Sequence, residues 1–293
     1  MKKRLLNGIL YGATGSFWWG LPGVLYFKYV SFAGPLELVA HRSIWTSIVL
    51  IFTISMYSRW NLFLKICKSK KKLVFLFFSG ILIYLNWSVW IYAVVTNRLI
   101  DASFGYYIFP ILSVLFGFIF FKEKLNYHRI IAIFLVIISI VYLLLNLNQI
   151  PWVGLSVAFT WSTYNLLRKK VNVDTDVGLL IESLFIAPIN LIIFYFIVQK
   201  GLNDFNFNEP KTAFLLFLAG PMTVIPLYLY VKGVEQAGLG PTGMIFYITP
   251  TCQFLLGLFY YNEIFDLDKL IGFIFIWIAV IIYLKDLKLK SNL

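Results

Sequence analysis

Tyr107–Leu125 reads YIFPILSVLFGFIFFKEKL, and Tyr247–Phe265 reads YITPTCQFLLGLFYYNEIF. At an offset of 140, Tyr107, Ile108, Pro110, Leu115, Gly117 and Glu123 fall on Tyr247, Ile248, Pro250, Leu255, Gly257 and Glu263. Ile131, Ile138 and Leu144 fall on Ile271, Ile278 and Leu284 at the same spacing, so the repeated unit contains at least two helices. Self-similarity at a fixed period decides the fold before any local reading does.

Each copy gives about 20 mainly apolar residues, enough at 1.5 Å per residue to cross a hydrocarbon core of roughly 30 Å. Pro110 and Pro250 each remove a backbone donor at membrane depth. Neighbouring protein must then compensate, which marks a bend facing the interior, as an ordinary kink or as the shaper of a cavity.

The composition agrees with a membrane protein. The 293 residues are 60% hydrophobic and 13% charged, against roughly 25% charged in a soluble domain. The net charge of +12 sits at helix ends and forms no stripe on a soluble fold, so topology accounts for it and nucleic-acid binding does not. Two cysteines, Cys67 and Cys252, and two histidines, His41 and His128, are too few for a disulfide framework or a metal cluster. No cofactor is expected: the glycines of GLGPTG, Gly238–Gly243, lack the order of a phosphate-binding loop.

Apolar runs predict ten helices at about 5–27, 36–57, 73–97, 101–121, 128–146, 152–169, 177–199, 212–234, 241–261 and 267–285. The basic start, Lys2–Arg4, precedes a long apolar run without a cleavage site, so it reads as the beginning of helix 1 and not as a signal peptide. With the N-terminus inside, nineteen of the 25 Lys and Arg residues lie at cytoplasmic ends and five, including Lys28, Arg98, Lys200 and Lys269, at outer ends. Arg42 alone is intramembrane. The asymmetry places both termini in the cytoplasm.

The expected fold class is therefore an all-α polytopic membrane protein with ten transmembrane helices. Since five is odd, a repeat after five spans enters from the opposite side, giving a 5+5 inverted repeat with units at 1–147 and 148–293. Helices 1 and 6 agree at an offset of 142, with Gly12, Phe17 and Trp19 on Gly154, Phe159 and Trp161. Inverted repeats with sites at the midplane belong to secondary transporters.

Charges inside a bilayer are costly and are candidates for function. Glu37 and His41, spaced i,i+4, share a helix face with Arg42 adjacent, as a self-neutralised structural cluster or as a binding and coupling group. Arg42 falls on Glu182 at the 140 offset. Glu182 has no partner near it in sequence, which makes it the proton-coupling candidate unless Arg168 or Lys169 reaches it and holds it ionised. Trp19, Trp87, Trp90, Tyr106, Tyr107, Trp161, Tyr164, Phe246 and Tyr247 are the aromatic candidates for a cavity wall, as an apolar surface with a donor or as a cage of ring faces for an organic cation, against general packing or an interfacial belt. Asn86 is a mid-helix amide that joins helices or touches substrate. Gly8, Gly12, Gly117, Gly257 and Gly272 allow close helix approach.

The chain resembles the RarD-like branch of the drug/metabolite transporter superfamily, whose members carry two EamA-type repeats of five helices. The resemblance is carried by FWWG with Pro22 beyond it, ELVAHRSIW (Glu37–Trp45), Asn86-Trp87, ASFGYYIFP (Ala102–Pro110), LLRKK (Leu166–Lys170), GLLIES (Gly178–Ser183), YITPT (Tyr247–Thr251) and FIWIA (Phe275–Ala279). It implies a bacterial inner-membrane carrier of a small organic metabolite or drug-like solute, with a central cavity formed mainly by helices 1, 3, 4, 6, 8 and 9. Without a nucleotide motif, energy would come from a proton or substrate gradient. A passive facilitator and an intramembrane lipid-modifying enzyme are the alternatives, the latter lacking any nucleophile-base or metal motif. The expected partners are the substrate and the lipid bilayer; monomer and dimer both remain open. Single cysteines placed at Glu123 and Glu263 are expected to react with impermeant thiol reagents from opposite sides of the membrane. Reaction from one side ends the inverted-repeat topology.

Overall fold

The computed structural model describes residues 2–96, 99–145, 152–260 and 267–291, and every regular element among them is helical. Arg98, Glu263 and the expected repeat boundary at 147–148 lie outside the described residues, as do the side chains of Lys269, Lys288 and Lys290. The chain begins with α1 (Lys2–Trp18), a π-helical turn at Trp19–Gly23 and α2 (Val24–Tyr29). There follow α3 (Pro35–Met56), α4 (Trp60–Cys67), α5 (Lys70–Val95), α6 (Leu99–Phe121) and α7 (Tyr127–Leu145). The second half holds α8 (Trp152–Val171), α9 (Thr175–Gln199), α10 (Pro210–Phe217), α11 (Ala219–Ala237), α12 (Leu239–Ile245), α13 (Ile248–Phe259) and α14 (Leu267–Ser291).

Among the described residues, five segments are long and apolar enough to cross a membrane: Pro35–Met56, Lys70–Ala93, Tyr127–Leu145, Thr175–Gln199 and Pro210–Ala237; Gly105–Phe121 is a shorter apolar helix. Phe52, Ile119, Phe134 and Ile192 stand exposed on α3, α6, α7 and α9. Apolar surface on that scale suits lipid and not water.

Three local features depart from the sequence reading. The first helix is not uniform: Pro22 has no N–H to donate, and the ladder widens into the π turn around it. The two proline helices are not alike. α6 runs unbroken through Pro110, whereas its counterpart breaks at Phe246–Tyr247 into α12 and α13, with Pro250 in the first turn of α13, where a missing donor costs little. Finally, α4 forms in the lysine-rich stretch read as a loop, because Leu62, Phe63 and Ile66 dock one face on the core.

Packing repeats across the two halves. α1 lies along α11 as α8 lies along α5; α6 lies along α8 as α12 and α13 lie along α1 and the π turn; α3 meets α9, α6 meets α12, and α7 meets α14. Exchanging the halves leaves this pattern unchanged, so the interior surrounds an approximate two-fold axis.

Glycine sets the α1–α11 approach. A Cβ at Gly233 would stand 2.8 Å from the Gly12 nitrogen and 2.9 Å from the Gly8 carbonyl oxygen, and backbone cannot yield as a side chain can. Gly233→Ala is therefore expected to force the helices apart and destabilise the fold by about 1–3 kcal/mol, read as a lowered Tm in detergent. Gly34→Ala, with nothing within 4 Å of the added carbon, is expected to leave Tm unchanged.

Candidate functional site

Both helix interruptions open onto one cavity. It takes in about 480 Å³ of space between the two halves, part of it open to solvent. Trp19 and Gly23 come from the π turn, Phe27 from α2, Arg42 from α3, Asn86, Trp87 and Trp90 from α5, Tyr106 from α6, Trp161 from α8 and Phe246 from the α12–α13 break. Irregular backbone at this depth is tolerated where it borders a cavity.

An aromatic layer forms the floor. Trp19 meets Trp161 edge-on at 5.2 Å, Phe109 meets Phe246 at 4.8 Å, and Tyr230 meets Phe246 at 5.3 Å. Trp161 is stacked in turn on Tyr164 at 5.3 Å. Phe27, Phe109 and Tyr230 were not singled out by sequence, since no local pattern separates them from the chain's many other aromatics. Gly23 did carry a signal, one residue beyond Pro22.

Arg42 is the charged group of the cavity wall. It is 4% exposed, and its Nε donates to Thr223 Oγ1 at 2.9 Å. Its guanidinium carbon lies 4.7 Å from the Trp87 ring, 4.8 Å from Phe27 and 5.9 Å from Trp90. Among the described residues, no carboxylate comes within ion-pairing distance of it. Asn86 donates to the Val157 carbonyl and to Thr160 Oγ1, both at 3.1 Å, so it joins α5 to α8 while facing the cavity.

Glu182 borders a second cavity of about 280 Å³, and Trp87 is a wall of both. Glu182 accepts from Ser79 Oγ at 2.5 Å and Tyr164 OH at 3.2 Å, with Arg168 Nε at 3.6 Å. Arg168 thus supplies the counter-charge that the sequence left open, and it also donates to the Thr175 carbonyl at 3.2 Å. Lys169 instead reaches Glu123.

The other candidates lie elsewhere. Glu37 accepts the backbone N–H groups of Asp204 and Phe205 at 2.9–3.0 Å, and His41 stands 3.4 Å from it, flanked by Phe194 and Phe205. These two pin the loop before α10. Arg42 points to a different side because successive helical residues turn by about 100°. Tyr107 lies against Phe273, and Tyr247 OH donates to the Tyr107 carbonyl at 2.8 Å, so this repeated pair seals α6 to the other half. Among the described residues, no three His, Cys, Asp or Glu side chains are grouped to hold a metal.

The model of the EamA-like transporter family matches the chain twice, over residues 6–145 and 150–285. The protein RarD of Salmonella typhi is 31% identical over 284 residues, covering 97% of this chain and 96% of its own. The uncharacterized transporter YojE of Bacillus subtilis is 34% identical over 280 residues, covering 94% and 93%. A solved crystal structure at 15% identity superposes with a TM-score of 0.66 over 94% of this chain and 97% of its own, a likeness of fold alone. The chain belongs to the EamA-like transporter family, in its RarD-like branch.

Proposed function

We propose that this protein is a secondary active carrier with ten membrane spans in a 5+5 inverted repeat, moving a small organic solute across the bacterial inner membrane by alternating access. Residues 1–147 and 148–293 are its two repeats, and both termini face the cytoplasm. One observation carries the reading: an aromatic cavity lies between two halves whose packing is unchanged when they are exchanged, and it is sealed towards one end. The cytoplasmic bias of Lys and Arg supports the orientation.

The seal is specific. Beneath the aromatic floor, Ser113 Oγ donates to the Leu239 carbonyl at 2.8 Å. Just beyond the end of α6, Glu123 accepts the N–H groups of Leu239 and Gly240 at 2.9 Å each, and Lys169 Nζ donates to it at 2.5 Å. Gly238 makes the approach feasible with φ of +100°, a conformation open to glycine. One carboxylate thereby ties the ends of α6, α8 and α12 together, and opening this end requires all three bonds to part. Glu123→Ala is expected to make a cysteine at Ser113 react faster with an impermeant thiol reagent added from the Glu123 side, in a background where Cys67 and Cys252 are serine. Unchanged reactivity removes Glu123 as a gate.

Glu182 is the coupling candidate, buried beside the substrate cavity with Arg168, Ser79 and Tyr164 as partners. In proteoliposomes, the carrier is expected to accumulate solute against a tenfold gradient only when protons flow down theirs. Glu182→Gln is expected to abolish that accumulation and, because it leaves Arg168 buried without its counter-charge, to lower Tm as well. Equilibration to equal concentrations with no response to protons would establish a passive facilitator instead.

A further inference from the structure

We infer that the solute taken up by the cavity is a small organic monoanion, whose carboxylate is received by Arg42 and whose apolar ring-bearing body lies against the aromatic wall. This rests on the carrier reading and names the class of its substrate.

Arg42 has no carboxylate at ion-pairing distance among the described residues. Arg42 and Glu182 each stand seven residues beyond the start of their helices, α3 and α9. Each is anchored by a hydroxyl from the corresponding neighbour: Thr223 on α11 for Arg42, and Ser79 on α5 for Glu182. The second half then adds Arg168 to neutralise Glu182. At the 142 offset that relates helices 1 and 6, the residue equivalent to Arg168 is Tyr26, which has no charge to offer. Its hydroxyl is already committed, donating to the Leu215 carbonyl at 2.6 Å. The half that contains Arg42 thus leaves unfilled the place that the other half fills with an ion.

The unused capacity of Arg42 faces the cavity. A guanidinium has five N–H donors, and here one hydrogen bond, from Nε, is made to protein. Among the described residues the terminal nitrogens make none, and they are left to the cavity that Arg42 lines. Two parallel N–H groups in that fork match the two oxygens of a carboxylate.

The remaining wall restricts the rest of the solute. Among the described residues no Asp or Glu lines the cavity, and Arg42 is the charged side chain there. A monoanion neutralises it; a zwitterion brings an ammonium that has no carboxylate to meet; a cation adds repulsion at short range. Trp19, Trp87, Trp90, Trp161 and Phe246 offer ring faces and edges to an aromatic or alicyclic body.

Four probes that share one phenylpropyl-like skeleton separate the charges: 3-phenylpropionate, phenylalanine, phenethylamine and the uncharged 3-phenylpropanamide. Binding to purified protein is read by thermal shift and titration calorimetry. A parallel indole set, indole-3-acetate, tryptophan and tryptamine, covers a larger body. The carboxylates are expected to raise Tm and to bind at least about tenfold more tightly than the zwitterion, amine or amide, as a charge-assisted bidentate contact implies. Arg42→Gln is expected to erase that preference. The unmodified protein carries the test through the ligands themselves if the variant does not fold. Equal or tighter binding of an amine or amide overturns the inference, and so does the absence of binding by every probe up to about 10 mM. The two readings fail separately. A carboxylate that binds but is never exchanged in proteoliposome counterflow removes the carrier and leaves the anion site, whereas an amine that binds and is exchanged does the reverse.

Discussion

A buried guanidinium beside an aromatic wall, with no carboxylate at ion-pairing distance among the described residues, is the constraint around which this interior is built. Burying an ion costs several kcal/mol even after relaxation. Three ring contacts to Phe27, Trp87 and Trp90 return part of that, at about 0.5–2 kcal/mol each. The bond to Thr223 adds a similar amount. Phe27, Trp87 and Trp90 converge from α2 and α5 on this single side chain. The tryptophans act as the solvent that Arg42 would otherwise lack.

The same logic explains where the helices break. A bilayer penalises every unpaired backbone group, so irregular turns gather where protein or a water-filled space can satisfy them. The π turn at Trp19–Gly23 and the break at Phe246–Tyr247 both border the cavity, one from each half. They also pack against each other: Thr249 Oγ1 donates to the Ser16 carbonyl at 2.8 Å, joining α13 to the end of α1. The weak points of two helices thus become one shared wall. Strain that would destabilise a lipid-facing helix is here used to bring Trp19, Gly23 and Phe246 to the same space.

What the sequence made legible follows from the range over which each interaction acts. Helix positions and the repeat were readable because hydrophobic runs and the 140 offset are local or periodic, and the twofold match of the family model over 6–145 and 150–285 coincides with that duplication. Several aromatic candidates do meet at the cavity, Trp19, Trp87, Trp90, Tyr106, Trp161 and Phe246 among them. Partnerships were a different matter. Thr223 lies 181 residues from Arg42, and the loop at Asp204–Phe205 lies 167–168 residues from Glu37. Nothing in the spacing of ELVAHRSIW could show that Glu37 and His41 serve a distant loop while Arg42 turns inward. The short helix α4 was missed for a related reason: its apolar face is only three residues wide, and its flanking lysines dominate the local composition.

Fold symmetry and chemical asymmetry then have to be held together. A duplicated unit gives equal geometry at equivalent positions, and the hydroxyl-anchored charges of α3 and α9 keep that geometry. The charges themselves are opposite. Among the described residues Arg42 has no counter-ion and it faces the larger cavity, whereas Glu182 has Arg168 and faces the smaller one. Trp87, common to both walls, stands between them. Any movement that changes how the Trp87 ring covers Arg42 therefore also changes the space beside Glu182, because one rigid indole cannot yield on one side without shifting on the other. Arg42 and Glu182, each seven residues into its helix, are in this way linked through a single side chain.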